Sequence, residues 1–205
     1  MPQARPIFQP IFGDQWQYLP PVMHRHYANR PYSRDEVRID GFMNVELSPL
    51  AQRFAWVFKW AGLAPYAAKN IPVTVIFRSE PHSKGFLFNR LFHYPDGPPI
   101  EMRSRMHPIG QDQVIETMRS GIGWRARYHY GEGKVQLGHL GYCITLFGLT
   151  APLPLTWLIG SCTAYEEAID DEHFRMFAAI HHPVLGQVYA YGGTFKISRV
   201  SHHDA

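Results

Sequence analysis

Apolar residues change their spacing at Pro72. Before it they recur at intervals of three and four, the period of a helix face; after it they alternate with polar residues, the period of a strand. In the first part, Ile7 to Ala28 is expected to be helical, with Asp14 placed to cap QWQYL and Pro20-Pro21 opening a second short helix through VMHRHYA. SRDEVRIDGFMNVEL is expected to be extended, with Val37 and Ile39 on one face. SPLAQRFAWVFKWAGLAP carries the clearest helix signals: Ser48 as N-cap, Pro49 at the first helical position, Gly62 as the stop and Pro65 beyond. Leu50, Phe54, Val57, Phe58 and Ala61 share one face of that helix, which predicts that it lies on an apolar surface.

From Pro72 onward, alternation marks nine segments: 73–80, 86–94, 100–107, 113–120, 122–130, 134–148, 155–169, 173–181 and 187–197. They are separated by turn sequences such as PHSKG, PDGPP, IGQD and GEG. Short connections between successive strands imply an antiparallel meander. The predicted fold is therefore mainly β, of α+β class: a curved antiparallel sheet or open barrel of about nine strands, with N-terminal helices packed over one opening or face. One domain is expected, with a helical part at 7–72, a sheet at 73–197 and a mobile tail at 201–205.

One stretch resists the alternation. Between Val135 and Tyr165 there is no charged residue, and LFGLTAPLPLTWLIG lies within it. A membrane helix needs roughly 20 uninterrupted apolar residues, whereas Pro152, Pro154, Gly138, Gly141, Gly148 and Gly160 break this run. The preferred reading is a hairpin of strands 134–148 and 155–169, turned at LTAPLP, with apolar groups on both faces and Cys143 facing Cys162.

Composition sharpens this picture without changing it. The chain of 205 residues is 14% aromatic and only 18% charged, which favours a folded chain with a rich apolar interior over disorder. A net charge of +3 is too small to imply nucleic acid. The densest basic set, Arg103, Arg105, Arg119, Arg125 and Arg127, alternates with apolar residues and reads as a solvated strand face. The N-terminal MPQARPIFQPIFGDQWQ lacks the apolar core of a signal peptide. Two cysteines provide neither a disulfide framework nor CxxC spacing, and a reducing cytoplasm fits best. Twelve histidines show no HExxH and no supporting carboxylate spacing, so neither a metal nor a cofactor is expected.

Candidate chemistry lies where polar groups interrupt an apolar strand face. Phe86, Phe88, Arg90 and Phe92 share a face, as do Met102, Ser104 and Met106 on the next strand and Val114, Glu116 and Met118 on the one after. Arg90, Ser104 and Glu116 are thus predicted to meet inside, as an ion pair bridged by the serine hydroxyl, because an unpaired buried charge is costly. Trp124, Tyr128 and Trp157 extend the apolar lining; on the phase set by Trp157 and Ile159, Tyr165 and Glu167 join the same interior and Glu166 points away, whereas a phase shifted by one residue reverses these faces.

The stretches LFGLTAPLPLTWL and AYEEAIDDEHFRMFAAIHHPVLGQVYAYGGTF, the aromatic-x-Arg-x-Phe of FNRLF and the Ser-Pro-Leu-Ala helix start resemble the bacterial family known as domain of unknown function 4166. The resemblance runs from about Ile11 to Phe195. That family occurs alone and also fused behind dinucleotide-binding oxidoreductase domains, which implies a partner role in some relatives. No GxGxxG follows a strand here. Three readings follow. The interior binds a small apolar or amphiphilic molecule, with Arg90 anchoring an anionic group; or Glu116 is the general acid or base of an enzyme whose substrate Arg90 holds; or the chain is an interaction module for a dinucleotide-binding oxidoreductase.

Overall fold

The alternating segments close into a ring. The computed structural model describes residues 5–95 and 97–204. Residues 1–4, Asp96 of the PDGPP turn and Ala205 of the expected tail lie outside it. Its strands are β1 (Glu36–Leu47), β2 (Ala68–Ser79), β3 (Phe86–Phe92), β4 (Ile100–Gly110), β5 (Gln113–Met118), β6 (Ile122–Gly131), β7 (Lys134–Leu146), β8 (Leu149–Leu153), β9 (Ser161–Ala168), β10 (His173–His182) and β11 (Gly186–Ser201). β1 to β7 pair in chain order, β7 continues to β9, then β10 and β11, and β11 returns to β1. Ten antiparallel strands therefore form a closed barrel, and β8 is an extra strand on β7. Closure removes the unpaired edges that an open sheet of this length would expose.

This corrects the expectation of about nine strands in an open or curved sheet. The extended segment at 36–47 is a full strand that closes the ring between β2 and β11; Val37 and Ile39 share a face as predicted, and that face is buried. The N-terminal part is accordingly not helical through residue 72. A second correction concerns the charge-free stretch. LTAPLP is not a turn: Phe147 and Gly148, both at positive φ, make the tight turn instead, so LTAPL becomes β8. Pro152 is tolerated because β8 pairs on one side only. Residues Thr156–Ile159 then form a short helix, α5, before β9 begins. Cys143 consequently faces Pro152 and Gly123, while Cys162 faces Ile180, and both thiols are free.

β7 divides its outer edge. Lys134–Leu137 pair with β9 and Tyr142–Leu146 with β8. Between them a seam is filled by His139, whose Nδ1 accepts from Trp124 Nε1 at 3.1 Å and from the Cys162 amide at 3.3 Å. Two donors at Nδ1 place the ring proton on Nε2, which donates to Thr156 Oγ1 at 2.9 Å. Burial lowers the pKa of His139, in keeping with this neutral form.

The two barrel ends are built differently. One is plugged by α1 (Gln9–Phe12), a 3-10 segment (Gly13–Tyr18) and α2 (Pro21–His26). Asp14 lies within the 3-10 segment rather than capping a helix. Phe8 and Phe12 pack on Tyr27 with ring centroids 4.6 and 5.1 Å apart, and Phe8 also meets Tyr128 and Phe86. Buried Asp35 locks this end: it receives Arg30, His202 and the His203 amide. Residues 201–204, expected to be mobile, are held there, with Ser201 paired to Glu36 and Asp204 to Arg30.

At the other end the predicted helix at 48–62 forms as α3 (Pro49–Arg53) and α4 (Ala55–Ala61), broken at Phe54. Ser48 caps it through the Ala51 amide and left-handed Gly62 ends it, as the sequence signals require. Its apolar face is only partly covered. Phe58 stacks on Tyr189, but Leu50, Phe54 and Val57 remain exposed.

Candidate functional site

Short turns between β3, β4 and β5 preserve strand phase, so inward positions can be followed from one strand to the next. The register sets Phe88 against Ser104, Arg90 against Met102 and Met106 against Glu116. Arg90 Nη2 donates to Glu116 Oε1 and to Ser104 Oγ, each at 2.7 Å, and Ser104 Oγ donates to the same Oε1 at 2.7 Å. The guanidinium carbon lies 3.8 Å from the centre of the Phe88 ring. Arg90 is 1% exposed. Burial works against its charge, but Glu116 outweighs burial and its pKa is raised. The predicted knot therefore forms, with the serine as its bridge.

Glu116, Trp124, Ala178 and Tyr191 separate two cavities in the interior. The inner one, about 50 Å³, faces the plug and is lined by Phe86, Phe88, Met106, Trp124 and Tyr128. The outer one, about 190 Å³, opens at the α4 end; Met102, Met118, Trp124, Tyr142 and Tyr191 form its walls, with Val57 and Trp60 of α4 across it. Glu116 lines both. Its Oε1 is engaged by Arg90 and Ser104, while Oε2 accepts no hydrogen bond among the described residues. Arg90 lines neither cavity. Its second terminal nitrogen, Nη1, has no hydrogen-bond partner among the described residues. The guanidinium thus supports Glu116, the member of the knot that reaches both cavities.

Phe88, Met102, Trp124 and Tyr128 are where the alternation placed them, but Tyr165, Glu167 and Trp157 are not. Tyr165 lies outside, beneath Lys134 Nζ at 5.1 Å, and Glu167 pairs on the outer surface with Lys134 and Arg175. Trp157 is on α5 and exposed. The helical turn of α5 resets the strand phase, so counting from Trp157 and Ile159 assigns every residue of β9 to the wrong face. Glu166 is the inward residue. It accepts from the Tyr27 hydroxyl, and its Oε2 is 3.3 Å from His26 Nε2. Burial opposes the Glu166 carboxylate, but the charge of His26 and the hydrogen bonds of His26 and Tyr27 outweigh it and lower its pKa. Burial raises the pKa of Tyr27 well above that of a free tyrosine, with the neighbouring Glu166 charge adding to the effect.

His26, Tyr27, Glu166 and Tyr191 are thus polar groups of the interior not anticipated from sequence. For Tyr191 a signal existed, since it follows Tyr189 at strand spacing on a face with Phe195 and Ile197. The basic strand face is as expected: Arg103 pairs with Glu101, Arg105 with Glu80 and Arg127 with Asp112 at the outer surface. Among the described residues, no group of His, Cys, Asp and Glu is arranged to hold a metal ion, and no helix is long and apolar enough to cross a membrane.

No curated protein matches the chain in sequence. Among solved structures, the crystal structure of Rv2717c from M. tuberculosis is similar over 92% of this chain and 99% of that one, at 11% identity and a TM-score of 0.43. A dehydratase from type I polyketide synthases covers 87% of this chain and 84% of its own at 6% identity, and an N-terminal dehydratase of the difficidin assembly line covers 87% and 83% at 7%; both have a TM-score of 0.18. Such values transfer neither chemistry nor ligands. The sequence pattern of one family does match, over residues 19–195, and on that match the chain belongs to the domain of unknown function 4166 family.

Proposed function

We propose that the barrel binds one small apolar or amphiphilic molecule in its outer cavity, oriented by Glu116. The observation that carries this reading is an almost wholly apolar space of about 190 Å³, open at one end, whose few polar side chains include Glu116, the one charged residue of its lining, with Tyr189 and Tyr191. A dry cavity of roughly 150 Å³ takes up benzene, so the size suits a single ring or a short chain. Few placed polar groups in an apolar cleft are the usual form of a small-molecule site. An anionic group at Arg90 fits less well, because Arg90 lines neither cavity and is already paired. The ligand's polar end is instead a donor, a hydroxyl or an ammonium. Catalysis by Glu116 has less support, since Arg90 and Ser104 already occupy one oxygen of the carboxylate.

The test is titration with hexylamine, hexanol and hexanoate, followed by Trp124 fluorescence and native mass spectrometry. One equivalent of amine or alcohol is expected to bind, hexanoate more weakly, and Glu116→Gln should weaken hexylamine at least about tenfold. Failure of all three probes to bind, or a preference for hexanoate that survives in Glu116→Gln, would overturn the reading.

A further inference from the structure

Around the open end, large apolar side chains point outward from four separate segments. Trp56 and Trp60 come from α4, Phe147 from the β7–β8 turn, Trp157 and Leu158 from α5, and Val184 from the β10–β11 turn; all are exposed, Phe147 completely. Their backbones meet at this end: the Ser48 amide donates to Val188 O, His182 reaches Trp157 O, Ser120 reaches Ala61 O, and the Thr145 amide donates to Gly121 O. Exposed large apolar side chains gathered at one end in this way mark an interaction site.

Charge selects the partner. Residues 47–70, 117–123, 144–161 and 181–188 of this end contain no aspartate or glutamate; the acidic residues beside them are Glu46, which accepts from Gln187, and Asp96 in the sequence between β3 and β4. The same segments carry Arg53, Lys59, Lys69 and Arg119, all exposed and none in a salt bridge among the described residues. Tryptophan favours the boundary between lipid headgroups and acyl chains, and exposed lysine and arginine are drawn to anionic headgroups. A protein partner would need one shaped, largely desolvated patch with polar pairing at its rim; here the apolar groups are carried by separate segments, and the exposed charges around them are mostly cationic.

We propose that this end docks on the surface of an anionic lipid bilayer, with the tryptophans and Phe147 at headgroup depth and the barrel axis upright. No segment crosses the bilayer; the contact is of the monotopic kind. Docking rests on the rim and does not require that the cavity hold a ligand.

Flotation with vesicles tests it, using the full chain with neutral phosphatidylcholine vesicles and with vesicles containing about 30% phosphatidylglycerol. Wild-type protein is expected to float with the anionic vesicles with a blue shift in tryptophan emission, and to be released in part by salt. The triple variant Phe147→Ser/Trp157→Ser/Leu158→Ser should lose at least about tenfold in partitioning. Arg53→Gln/Lys59→Gln/Arg119→Gln should lose the preference for anionic vesicles by a similar factor of about ten. Unchanged circular dichroism and melting temperature show that either variant is folded. If a variant does not fold, quenching of wild-type tryptophan by brominated lipid replaces it. The proposal is overturned if the wild type floats with neither vesicle, or if the same rim residues instead mediate a dimer or a complex with a purified dinucleotide-binding oxidoreductase that persists while lipid binding is absent.

Discussion

The two ends of the barrel begin from similar aromatic content and treat it in opposite ways. At the plugged end Phe8, Phe12 and Tyr27 are at most 5% exposed; at the open end Trp56, Trp60 and Trp157 are at least 66% exposed. Carboxylates divide in a similar way. Asp35 and Glu166 are held by partners at the plug, whereas the segments that carry the exposed tryptophans, 47–70 and 144–161, contain no acidic residue. The lesson is that stability and interaction have been placed at different ends of one sheet, which makes them separable by mutation.

The largest effect that would sharpen the contrast is at the plug. Phe12→Ala removes a ring packed on Tyr27 and is expected to cost about 3–5 kcal/mol, measured by urea unfolding. A loss similar to that of an exposed position would mean that the plug is not part of the cooperative core.

Between the ends, the knot should behave as a unit. Arg90→Leu leaves Glu116 without its cation, so the double variant Arg90→Leu/Glu116→Leu should be more stable than the sum of the single losses predicts, by about 1–3 kcal/mol. Additive losses would show that the 2.7 Å ion pair contributes no coupling.

Acid should attack the plug first. Burial opposes the Asp35 charge, but hydrogen bonds from Arg30, His202 and the backbone outweigh it and depress its pKa, as His26 and Tyr27 do for Glu166. A carboxylate with a depressed folded pKa contributes stability that is present above its unfolded value, here 3.8 for Asp and 4.5 for Glu, and is lost as pH falls through the folded value. Asp35→Asn and Glu166→Gln should therefore lower stability at neutral pH, each by on the order of 1–2 kcal/mol, and flatten its decline below those values. Parallel pH profiles for wild type and both variants would place the acid-sensitive groups elsewhere.

The smallest effect is at the rim. Trp157→Ser should change unfolding free energy by less than about 0.5 kcal/mol. A larger loss would mean that the rim is structural and the comparison of ends fails.

How far these features were legible in sequence depended on what lay between the residues. Arg90, Ser104 and Glu116 stand on successive strands joined by short turns, so alternation carried the phase intact and the knot could be placed. Glu166 follows a helical turn hidden in a proline-rich apolar run, and one misplaced residue inverts a strand. Its partner Tyr27 sits just after α2, 139 positions away, a separation no local pattern spans. Closure was hidden for another reason. β1 reads as an isolated extended segment before the helix at 48–62, and only its pairing with both β2 and β11 makes it the last stave of the ring.

A ring of staves has no end from which to fray, so it opens by giving up a whole joint, and the joints are unequal. β11 grips β1 along its entire length, whereas β9 meets β7 only over Lys134–Leu137 before the wall passes to the neutral imidazole of His139. In time, then, the molecule has a hinge line. Its amides at Lys134–Leu137 should be less protected from deuterium exchange than those of β1, and protonating His139, which would turn an acceptor of two hydrogen bonds into a donor, should lower their protection factors further as pH falls.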